Sequence, residues 1–72
     1  MPRYIITWME GENGFIKRSR MEYMGALDGA IEVAQEQLKK SSTAGKVNIW
    51  ERETDVAHLH RVQVKADGAV EI

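Results

Sequence analysis

The residues that could do chemistry in this chain are few, and they do not assemble into an enzyme's set. His58-x-His60 is the one metal-like spacing; two residues apart on a strand means one shared face, with Glu51, Glu53 and Asp55 close in sequence. A zinc-type site needs three or four converging ligands, so this pair reads as polar surface and no metal is expected. The chain has no cysteine, which removes thiolate ligands, a thiol nucleophile and disulfide staples together. Gly11-Glu12-Asn13-Gly14 reads as a turn rather than a phosphate cradle, because no helix opens after it. No Gly-x-Ser-x-Gly elbow is present. The expectation is a protein without catalytic residues or cofactor.

Binding chemistry is better represented. Lys17-Arg18-Ser19-Arg20 is the densest basic run, and its plainest reading is a solvated strand that resists edge-to-edge aggregation. Trp50 stands in the alternation Asn48, Trp50, Arg52. An exposed tryptophan among arginines has the composition of an interface hot spot, and it could equally stack on a base. A covering loop or a twin subunit would bury it instead.

What these side chains do depends on the elements that hold them. Residues 3–9 are β-branched and aromatic, which favours a strand. Tyr4, Ile6 and Trp8 share one face and Ile5, Thr7 and Met9 the other, so this strand is expected to be central and partly covered on both sides. Asn13-Gly14 signals a tight hairpin, with a second strand over residues 15–23. Residues 26–40 change period: Leu27, Ile31, Ala34 and Leu38, with Ala30 beside them, form a helical stripe. Asp28 early and Lys39-Lys40 late suit the helix dipole, while Gly25 and Gly29 weaken the first turn. Residues 41–45 read as a turn. Strands follow over 46–54 and 58–66, with Asp55-Val56-Ala57 between them. Asp67-Gly68 turns the chain into a short fifth strand over 69–72. Met9, Met21 and Met24 read as core filler. The fold class is α+β: β-β-α-β-β(β), a mostly antiparallel sheet with one helix packed on one face, as a single domain over residues 1–72.

Charge follows from that layout. With 72 residues, ten Lys/Arg and eleven Asp/Glu, the formal net charge is −1, which excludes a generic polycation. If the helix covers the side carrying Val47, Ile49, Val62 and Val64, then Arg18, Arg20, Lys46, Arg52, Arg61 and Lys65 point to the opposite side. Glu22 is the clear exception there. Asp28, Glu32 and Glu36 lie on the outer side of the helix, giving a basic sheet face and an acidic helix face. The candidate partner-binding residues are Lys17, Arg18, Arg20, Trp50, Arg52, Arg61 and Lys65, with Ile16 and Leu59 beside Trp50. A single helix on a single sheet is expected to offer little concavity. No apolar run approaches the ~20 residues that span a bilayer, nor the pattern of a signal peptide, so the expected location is cytoplasmic, with no membrane partner.

The order of elements resembles that of small phage-encoded anti-CRISPR inhibitors of type I surveillance complexes. The resemblance rests on the Tyr4-Ile5-Ile6 strand and its hairpin, and on an Ala-rich helix around Ala30 and Ala34. It continues through Gly45-Lys46-Val47, opening a strand that ends in Glu51-Arg52-Glu53, and the Lys65-Ala66-Asp67-Gly68 hairpin. It is one of pattern and carries over no individual site residue. It implies a non-catalytic inhibitor that binds a host protein or nucleoprotein complex and obstructs target DNA, in the host cytoplasm if the chain is phage-encoded. The alternatives are a small nucleic-acid-binding module using the basic face, and a homodimer formed through the open sheet face.

Overall fold

Apolar residues at every second position of several strands, and once at helical spacing, bury best as a helix laid on a sheet. The computed structural model describes residues 2–12, 14–40 and 45–72. Among these the element order is β1 (Arg3–Glu12), β2 (Phe15–Met24), α1 (Leu27–Lys40), β3 (Lys46–Arg52), β4 (His58–Lys65) and β5 (Val70–Glu71). The expected α+β class is the one found. Asn13 of the first hairpin and residues 41–44 of the turn after the helix lie outside the described residues.

The strands form one sheet in the order β2-β1-β3-β4-β5, and every neighbouring pair is antiparallel. β1 is therefore internal, flanked by β2 and β3, as its two apolar faces require. The chain crosses from β2 through α1 to β3, and α1 packs chiefly on β3, with further contacts to β1 and β4. The core is the layer between helix and sheet: Tyr4, Ile6 and Trp8 of β1, Val47 and Ile49 of β3, and Val62 and Val64 of β4, against Ala30 and Ala34 of α1. Alanines at the helix contact let its backbone approach the sheet closely, while Leu27, Ile31, Val33 and Leu38 close the edges.

Gly29 has a reason beyond flexibility. A Cβ built there would lie 2.7 Å from Cζ of Tyr23 and closer still to its hydroxyl, so the tyrosine ring occupies the space a side chain would need. The first helical turn is thus weakened locally to admit a packing partner from β2. Gly68 takes φ +90° in the turn between β4 and β5, where its N–H donates to the Lys65 carbonyl at 2.9 Å. Between β3 and β4, Thr54 Oγ1 accepts from Ala57 N at 2.9 Å and from Val56 N at 3.3 Å, closing the expected turn with a side chain.

One irregularity alters the parity of half a strand. Val62 pairs with Ile49, but Trp50 pairs with His60, so the register shifts by one residue and Arg61 is left over. This is a β-bulge. The two methionines expected in the core at positions 9 and 24 are exposed, on the face away from the helix, while Met21 packs against the core as expected.

Candidate binding face

The face of the sheet away from the helix is organised in rungs, one residue from each strand. The pairings Arg20↔Thr7, Thr7↔Asn48 and Asn48↔Gln63 make a polar rung. Two residues along, Glu22, Ile5, Trp50 and His60 make a second rung. In the other direction Arg18 pairs with Met9, and Lys46 with Lys65. One step beyond the paired positions Trp8 and Val47, the same register sets Met9 beside Lys46. That rung reads Arg18, Met9, Lys46, Lys65. Three cations thus sit in a row across four strands at one end of the face.

The face is a groove rather than a plane. It is a solvent-open hollow of roughly 1040 Å³, and its lining includes Ile5, Met9, Arg18, Lys46, Trp50 and Val56. The face is more concave than expected: Val56, on the loop between β3 and β4, lines the same hollow as Trp50 and His58.

Trp50 is held firmly. Its Nε1–H donates to Thr7 Oγ1 at 3.0 Å, and His60 meets its ring edge-on, with centroids 4.8 Å apart and planes at 72°. His60 Nε2 and Gln63 Nε2 both contact Asn48 Oδ1 at 3.1 Å. The indole's one polar atom is thereby satisfied inside the molecule, and its half-buried ring offers apolar surface. Beneath it Ile5 is only 4% exposed although it lies on the open face.

The expected basic residues divide on inspection. Arg18, Arg20, Lys46, Arg52 and Lys65 stand on the open face as the alternation requires. Lys17 does not: it pairs with Glu10, in the same alternation as Met21 and Tyr23, and so lies on the helix side. Arg61, the leftover residue of the bulge, turns away as well. Its Nε lies 3.7 Å from Glu51, whose strand partner Tyr4 faces the core. The bulge also moves Leu59 from the open face to the helix side, opposite Glu51. His58 and His60 take the open-face positions. Ile16 pairs with Gly11, several residues along the hairpin from the Trp50 rung, and is not its neighbour.

Most of the positive charge that remains is answered within the chain. Arg52 bonds Glu22 at 3.3 Å and Asp55 at 3.1 Å, and Arg20 lies 3.6 Å from the same Glu22. Lys65 Nζ meets Glu71 at 2.6 Å. The hydrogen bond to Glu71, then that carboxylate's charge, holds the Lys65 ammonium above the ordinary lysine value; slight desolvation opposes this and Asp67 adds to it. Among the described residues no ion pair involves Arg18 or Lys46. These two cations stand on either side of Met9; Arg3, paired with Met24 at the opposite end of the open face, likewise has no ion pair among the described residues, and the alternation of β1 could have singled it out.

Among the described residues no three His, Asp or Glu side chains converge on a common point, and no helix is long and apolar enough to cross a membrane. Comparison with protein-family models, with curated proteins and with solved structures finds no match for this chain.

Proposed function

We propose that this chain is a non-catalytic binding protein of the phage-inhibitor kind, seating a protein subunit of a nucleic-acid-handling complex on the open face of its sheet. The observation that carries this reading is the unequal treatment of the two sheet faces. One is closed by α1, while the other is a groove with apolar surface at Trp50 and three cations, Arg3, Arg18 and Lys46, that have no ion pair among the described residues. A tryptophan fixed before binding supplies contact area at low entropic cost, which is the composition of an interface centre.

A nucleic-acid partner is the weaker reading because of the charge pairing. Each neutralised phosphate contributes about 0.9 to the salt slope, so Arg3, Arg18 and Lys46 together give a slope near 3, small for a module that binds through its charge. Self-association through the same face would lay two surfaces of like net charge against each other.

Affinity purification of the tagged chain from a bacterial host lysate, beside the Trp50→Ala variant, tests the proposal. A stoichiometric protein complex that the variant fails to form is the expected result. Recovery of nothing, or equal recovery by the variant, removes the open face as the binding site.

A further inference from the structure

We infer that the open groove is built for an extended acidic polypeptide segment in which a carboxylate and a large apolar side chain lie four residues apart, facing the same way. The inference rests on the proposed role of this face as a protein-binding surface and specifies the partner's contacting element.

Along the strands the open face is charged at the Arg18 and Lys46 end, apolar at Trp50, and charged again one rung beyond, where Arg3 and Arg52 stand. Arg18 and Lys46 flank Met9 at one end. The middle rung is uncharged apart from Arg20, which already leans on Glu22. Four residues along β1 from Met9, the half-buried ring of Trp50 supplies the apolar surface, with Ile5 buried next to it and Val56 lining the same groove. From Met9 to Ile5 along β1 is four residues, or about 13 Å at the rise of a strand. A segment lying along β1 has the same rise, so its own residues i and i+4 fall over the two ends. The cationic end takes a carboxylate; the Trp50 end takes an aromatic or branched aliphatic side chain. Charge complementarity favours an acidic occupant because Arg18 and Lys46 have no carboxylate partner among the described residues. It disfavours a second copy of this chain, whose matching face carries the same sign. A phosphate backbone would bring a charge at every nucleotide, and the two rungs between Met9 and Arg3 offer it no unpaired cation, since Arg20 leans on Glu22.

Selection of a displayed random 12-residue peptide library on the immobilised full chain tests this, with Lys46→Glu and Trp50→Ala selected in parallel. The expected result is enrichment of peptides with Asp or Glu four positions from an aromatic or aliphatic residue. Affinity should fall at least tenfold on Lys46→Glu and on Trp50→Ala. Peptides that need Trp50 but show no acidic preference, or bind Lys46→Glu equally, overturn the inference and leave the open face standing as a protein site. Absence of enrichment, or enrichment indifferent to Trp50→Ala, overturns both. So does tighter binding of a 15-residue oligothymidylate, with a salt slope well above about 3. Circular dichroism of each variant confirms that a loss is not unfolding.

Discussion

Ile5 and Ile6 are neighbours on one strand, both almost fully withdrawn from solvent, and they do different things. Ile6 is wholly buried between β3, β2 and the helix layer, one of the largest side chains in the core. Ile5 is 4% exposed on the other side, under Trp50, in a groove that no element of the described chain covers. One face of β1 closes the fold and the other is sealed locally by side chains from its own sheet. Burial alone therefore does not distinguish structural from binding residues in so small a domain; what differs is whether a second layer stands on top.

Substituting the two isoleucines separates the faces most sharply. Ile6→Ala should cost about 2–5 kcal/mol. A domain of this size holds only ~3–5 kcal/mol in total, so the variant should be largely unfolded at 37 °C by circular dichroism. Ile5→Ala should cost about 2 kcal/mol, at the low end of that range, because Trp50 can settle into the space left. Equal losses in urea titrations would erase the distinction between the faces. Gly29→Ala comes next: helix propensity alone favours alanine by ~1 kcal/mol, but the Tyr23 ring should turn this into a net loss of about 1–2 kcal/mol. A higher midpoint for Gly29→Ala would mean that Tyr23 does not rest on the helix.

On the open face the effects on stability shrink. Trp50→Phe keeps an aromatic floor and loses the bond to Thr7, a change of about 1 kcal/mol. Arg18→Glu should alter stability by less than about 0.5 kcal/mol while abolishing partner capture, since nothing in the fold depends on that cation. Smallest of all is the Lys65–Glu71 contact. Because Lys65 titrates above an unfolded lysine, its contribution is complete below the unfolded value and is lost as pH rises through the folded one. NMR titration of the lysine side chain should show the elevated midpoint, and Glu71→Gln should lower it toward the ordinary value.

Period and composition were enough to read the layer structure. β-branched alternation in residues 3–9, the stripe from Leu27 to Leu38 and the Asp67-Gly68 turn each place their element within a few residues of its observed bounds. Parity also put Arg18, Arg20, Lys46, Trp50 and Arg52 on the correct face. It misassigned Arg61 and Leu59, because a bulge leaves no mark in a sequence that alternates on either side of it. Charge pairing was equally hidden. Glu22 reaches Arg52 across two strand boundaries, a contact that exists only once β1 lies between β2 and β3. The signal that could have located the cationic rung is modest. Lys46 and Arg18 sit at equivalent ends of strands that both pair with β1, which needs the strand order before it means anything.

The bulge at Arg61 has a consequence for how this chain can vary. Since Val62 already faces Ile49 and His60 already faces Trp50, the ladder holds one residue more than its pairing requires. Loss of that single codon would leave every side chain of β4 on its present face, a frame-neutral deletion in the middle of a strand. Loss of Leu59 or Gln63 has no such shelter, since each would rephase its neighbours. Length variation among natural versions of this strand should therefore gather at one position, the place where the sheet has slack.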